Sequence, residues 1–273
     1  KFPELRFLHR FERERPKGER SREELARLAL VAGAALGFIT VAIPLQLEKN
    51  WITIGWAMEG AALAWLYGRV PHKGLLLFGT ALMVAVFVRL ALNPSVLTYE
   101  PRSAVRVWNW YLYTYLICGA ALLLAGRLLA KTDDRLTSWM PRLSSVLPAG
   151  GTILLFLLLN IEIADFYATG PTITFNFFNS TLAQDLTYTL GWALFALSLL
   201  AAGIALHTKP ARFASIALLV VATIKCFLHD LMRLGGLYRV GSFVGLAICL
   251  FLVAIALQRF VLTPPTPSQP SEA

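Results

Sequence analysis

Residues 146–166, VLPAGGTILLFLLLNIEIADF, decide the fold. Up to Asn160 the run holds no ionisable side chain, and Thr152 is its only hydroxyl. At ~1.5 Å of rise per residue, a helix of this length spans ~30 Å, the thickness of a bilayer's hydrocarbon layer. That layer has no water to satisfy a bare backbone, so a single crossing segment must be α-helical. Comparable stretches occur at 25–45, 51–70, 75–92, 107–129, 185–206, 213–231 and 238–257. The expected fold class is all-α: a polytopic integral membrane bundle of about eight transmembrane helices.

Composition agrees. Hydrophobic residues make up 57% of 273 positions and charged residues only 15%, with a mean hydropathy of +0.62. A soluble domain carries about a quarter charged residues. The net charge of +9 does not indicate nucleic acid, because the basic residues lie in short loops and no basic groove with stacking aromatics is visible. Cys118, Cys226 and Cys249 fall in apolar runs without ligand spacing, so they read as small buried residues. No metal or cofactor is expected. Residues 1–24 carry mixed charge with no short apolar segment, so no cleavable signal peptide is expected there. A chain that begins at Lys1 reads as a piece of a longer protein.

Charge also orients the bundle. Eighteen of the 25 Lys and Arg residues fall on the side of the N-terminus and five on the other, with Arg89 and Lys225 inside predicted helices. The positive-inside rule makes the first side cytoplasmic, with both termini there. Trp51, Trp108, Trp110, Tyr111, Tyr113, Tyr167, Tyr188 and Tyr238 gather near the opposite helix ends, as an interfacial belt would. Ser21 and Glu24 fit a capping box opening the first membrane helix. The tail 259–273 is Pro/Ser-rich and expected to be disordered.

The chain resembles itself. A shift of 136 positions aligns Thr53 with Thr189, Gly55-Trp56-Ala57 with Gly191-Trp192-Ala193, Lys73 with Lys209, and Arg89 with Lys225. Chance similarity between Leu/Ala-rich helices is the competing explanation. A duplication makes two parallel four-helix halves, 25–131 and 146–258, joined by a linker 132–145 and preceded by a charged arm 1–24.

Ionisable groups within membrane helices are costly and normally face the bundle interior in pairs. By depth, Glu59 and Arg89 are expected to pair. The second half repeats the theme with Asn160, Glu162 and Asp165 on one helix and Lys225, His229, Asp230 and Arg233 on another. Lys225, His229 and Arg233 share one helical face, and Glu162 or Asp230 would supply the acid for Lys225. Tyr238 and Arg239 complete this candidate cluster. Its readings are a lock between helices or a pocket for a small ligand or ion. The loop 168–183 is expected to dip into the interface or cover the cluster, and its Asn179-Ser180-Thr181 matches a glycosylation sequon.

Lys225, Asp230, Leu231, Leu234, Gly236, Leu237, Tyr238, Arg239, Ser242, Phe243 and Gly245 resemble the C-terminal signature of the DUF2339 family of bacterial membrane proteins. Residues 51–66, with Trp56, Ala57 and Glu59 to Leu63, are also similar to that family. The resemblance implies a multi-spanning protein of unassigned activity, usually longer than this chain. Three functions therefore stand as expectations. One is a structural or transport-related protein of the inner membrane with a polar ligand- or ion-binding cluster. The second is a scaffold subunit with protein partners in the cell envelope. The third is an envelope lipid- or glycan-processing enzyme using Asp230 or His229. No nucleophile elbow, H-E-x-x-H or phosphate loop supports the enzyme.

Overall fold

A computed structural model describes residues 17–46, 49–98, 102–103, 106–131, 143–170, 173, 181–226 and 237–260. They form eight α-helices and, among the described residues, no strand. In chain order these are α1 (Lys17–Gln46), α2 (Lys49–Tyr67), α3 (Lys73–Ala91), α4 (Trp110–Leu129), α5 (Leu143–Tyr167), α6 (Leu182–Ala205), α7 (Lys209–Lys225) and α8 (Leu237–Phe260). A 3₁₀ turn, Pro94–Thr98, follows α3. The all-α class is as expected, and four helices, α3 to α6, are long and apolar enough to cross a membrane.

Helix starts differ from the sequence reading for local reasons. Helix α4 begins three residues later than 107, because the Asn109 side chain accepts from the Leu112 amide at 2.9 Å and caps it. In α6 the Thr181 hydroxyl takes the same role toward Gln184. Helix α1 begins at Lys17 and runs through Ser21 and Glu24, so the capping box expected there lies inside a helix. From Glu19 to Ala32 there is no Gly or Pro to stop it, and Glu23 stands four residues before Arg27.

Helix α6 ends in a Schellman motif. The Thr208 amide donates to the Gly203 carbonyl at 2.9 Å and the His207 amide to Ile204 at 3.1 Å. His207 sits at φ 54, in the left-handed region, where glycine carries no Cβ penalty. His207→Gly is expected to raise stability by ~0.5–1 kcal/mol, which a melting curve in detergent would show.

Packing divides the chain into two compact units, Lys1–Ile173 and Thr174–Ala273. Helix α5 thus packs with the helices before it. In the first unit α4 and α5 run antiparallel at close range through small residues. A Cβ on Gly126 would lie 2.3 Å from Pro148 Cγ, and one on Gly151 would lie 2.7 Å from the Gly119 carbonyl oxygen. Helices α2 and α3 meet the same way, with Met83 over Gly60 and Leu63 against Gly79. Tyr111, Tyr115, Cys118, Leu122 and Leu154 are buried between these helices. In the second unit Ala193, Ala196 and Leu200 of α6 pack with Leu219 of α7 and Val253 of α8.

The aromatic belt is only partly lipid-facing. Trp51 and Trp108 are exposed, but Trp110, Tyr111 and Tyr188 are buried. Helix packing claims these rings because α4 and α6 turn them toward neighbouring helices. The Tyr111 hydroxyl donates to the Leu97 carbonyl at 2.8 Å. Cys118 and Cys226 are buried thiols, as read from the sequence.

Candidate functional site

The antiparallel register of α4 and α5 brings the start of one against the end of the other. Asn109 is central to this junction. Its Oδ1 caps α4, while its Nδ2 donates to Glu162 Oε2 at 3.1 Å and Asp165 Oδ2 at 3.2 Å. Both carboxyls therefore stand at the positive end of the α4 dipole. Asn109 and Asp165 are buried.

Arg102 closes the cluster from the loop before α4. Its Nε donates to Asp165 Oδ1 at 2.5 Å, and Nη2 donates to the Asp165 carbonyl at 2.6 Å. Nη1 donates to the carbonyls of Ala168 at 3.1 Å and Gly170 at 2.6 Å. A helix leaves its last four carbonyls without internal donors. One guanidinium thus neutralises a buried carboxylate and caps the end of α5. Between Arg102 and Asn109, Val107 holds φ 70, a conformation that β-branched residues rarely adopt. Bonds on both sides hold it there. Ile173, just past the carbonyls that Arg102 binds, is buried in the core of this unit. Glu162 Oε1 is buried without a hydrogen-bond partner among the described residues.

The other described candidates make contacts of their own. Glu59 is buried and shares a hydrogen bond with the Thr40 hydroxyl of α1, and no salt bridge joins it to Arg89 among the described residues. The reason is register. Gly60 opposes Met83 and Leu63 opposes Gly79, which puts Arg89 level with Thr53–Ile54, about 8 Å along the axis from Glu59. Asn160 is buried, and its Nδ2 turns back to the Phe156 carbonyl at 2.7 Å. In the second unit, Lys225 Nζ donates to the Thr189 hydroxyl at 2.8 Å and the Asp185 carbonyl at 3.2 Å. These described partners come from α6, and Asp230, one of the two acids expected for Lys225, lies outside the described residues. His229, Asp230 and Arg233 lie outside the described residues, as do the side chains of Tyr238 and Arg239.

Sequence reasoning missed Arg102, Asn109 and Thr40. Asn109 was findable, since an Asn directly before an apolar helical run signals an N-cap. Arg102 was counted only as a loop charge. Thr40 carries no signal, because a threonine in an apolar helix usually bonds its own backbone.

No curated protein and no solved structure matches the chain. Residues 69–260 match the model of the family described as Predicted membrane protein (DUF2339), and the chain belongs to that family.

Proposed function

We propose that this chain is a helical scaffold within a multi-spanning membrane protein, its intramembrane polar groups serving to lock helices together. One observation carries this reading: among the described residues, the polar side chains named above are bonded within the chain. Thr40 holds Glu59; Arg102 and Asn109 hold Asp165 and Glu162; α6 holds Lys225. The crevice between α2, α3, α4 and α5 is lined by Gly60, Ala64, Leu76, Met83, Ala125 and Leu129, which offer no charge to a ligand.

The finer topology belongs to the same reading: eight spans, both termini cytoplasmic, in a bacterial inner membrane, with two repeated helix pairs. Packing register supports the repeat independently of sequence identity. In α6–α7, Thr189 meets Lys225 and Gly203 meets Ala211 and Arg212. Moved back by the 136-residue shift, these become Thr53 level with Arg89 and Tyr67 level with Leu75 and Leu76. The Gly60–Met83 and Leu63–Gly79 contacts of α2–α3 give that same register. Burial follows it: Ala57, Met83, Val86 and Leu90 correspond to Ala193, Leu219, Ala222 and Cys226, and all eight are buried.

Purification from native membranes in mild detergent tests the scaffold. The expected result is a stoichiometric protein partner, retained in Glu162→Gln. A second reading, a small-cation site, is favoured by the bare Glu162 Oε1. A chain that purifies alone and is thermally stabilised by a cation only when Glu162 is present would replace the scaffold with that site.

A further inference from the structure

The seam between α1 and α2 is narrow. Ile43 packs on Gly55, Thr40 meets Glu59, and Leu36 packs beside Leu63. Elsewhere on this part of α1, Leu30, Val31, Phe38, Val41 and Leu45 are exposed. One polar contact therefore lies in an otherwise apolar seam, and Glu59 in it is only 6% exposed.

Counting hydrogens at that contact is informative. A threonine hydroxyl carries a single hydrogen, and Thr40 Oγ1 donates to the Leu36 carbonyl at 2.9 Å. The same oxygen is hydrogen-bonded to Glu59 Oε1. Four residues on, Pro44 lies inside the helix and has no N–H, so the Thr40 carbonyl lacks its usual helical donor. Glu59 Oε2 has no partner among the described residues. Glu59 thus has a single hydroxyl beside it among the described residues, and the one hydrogen of that hydroxyl is also within reach of the Leu36 carbonyl. An ionised Glu59 would bring a charge into apolar surroundings with at most that one hydrogen to solvate it. A neutral carboxylic acid avoids the charge and is compatible with both contacts, its O–H donating to Thr40 Oγ1 while Thr40 donates to Leu36.

We infer that Glu59 is held as a neutral carboxylic acid, a proton-binding site in the α1–α2 seam that also takes apolar carbodiimides. This stands apart from the scaffold reading, which is indifferent to the Glu59 proton. Among the described residues of this unit, no salt bridge joins a cation to the acid. On α3, Arg89 is level with Thr53–Ile54, about 8 Å along the axis. On α4, Cys118 Sγ lies 3.8 Å from the Thr53 carbonyl oxygen, and the Tyr111 and Tyr115 hydroxyls are bonded to the Leu97 and Leu90 carbonyls. On α1, Arg27 stands thirteen residues from Thr40.

The covalent chemistry follows from the proton. The acid protonates a carbodiimide nitrogen, and its carboxylate oxygen adds to the central carbon to give an O-acylisourea. Migration of the acyl group to nitrogen then leaves a stable N-acylurea. Nothing is lost, so the adduct has the mass of the whole reagent.

The test uses the full chain in lipid vesicles at about pH 7, where an ordinary Glu is more than ~99% ionised. The infrared difference spectrum of wild type minus Glu59→Gln is expected to show a protonated-carboxyl carbonyl band. Dicyclohexylcarbodiimide is expected to modify wild-type Glu59, mapped by peptide mass spectrometry, and this readout needs no variant to fold. Carboxylate bands in the difference spectrum, together with an unmodified Glu59 peptide, overturn the inference.

Discussion

Arg102→Ala is expected to lower stability by about 3–5 kcal/mol, the cost of removing one partner from a buried ion pair. The side chain of Asp165 is 2% exposed, so its carboxylate would be left charged with little access to water. The substitution also strips donors from the carbonyls of Asp165, Ala168 and Gly170, which would free the end of α5 and the chain leading to Ile173. Denaturant unfolding in detergent micelles measures the loss. The double variant Arg102→Met/Asp165→Leu is expected to be less destabilised than Arg102→Ala alone, because no charge is then left buried. A loss below ~1 kcal/mol for Arg102→Ala would class the pair with ordinary exposed salt bridges.

Gly126→Ala and Gly151→Ala are expected to lose about 3 kcal/mol each, at or beyond the upper end of the usual overpacking cost. The added methyl meets a proline ring at 2.3 Å in one case and a backbone carbonyl oxygen at 2.7 Å in the other. Neither obstacle can rotate away, so α4 and α5 must separate. Separation moves Asn109 off Glu162 and Asp165, and the variants should therefore weaken the same lock that Arg102 closes. Gly37→Ala is the control. A Cβ there meets nothing within 4 Å, so Gly37→Ala is expected to be neutral or to gain up to ~1 kcal/mol from helix propensity. Unfolding curves for the three variants decide whether contact or propensity sets the outcome.

Much of this fold was readable in the chain. Apolar stretches mark the helices: the eight expected segments all overlap the eight described helices, of which α3 to α6 are long and apolar enough to cross a membrane. This works because lipid leaves the backbone no alternative to internal hydrogen bonding. The candidate site was less readable. Glu162 and Asp165 were identified as buried acids, but their partners were not, since a partner depends on where two helices meet. Depth along each helix predicts Arg89 beside Glu59, whereas the Gly60 and Gly79 contacts set an α2–α3 register that offsets them by about 8 Å.

By itself, then, the sequence determined the helical class and the approximate extent of the described helices. Those properties depend on local hydropathy and on backbone hydrogen bonding along one segment. Tertiary structure alone decided that Arg102 caps α5, that Asn109 reaches both carboxyls, and that Thr40 covers Glu59. Those contacts join residues 19 to 68 positions apart. They follow from close approach at Gly55, Gly126 and Gly151, where missing side chains set the depth and register of packing.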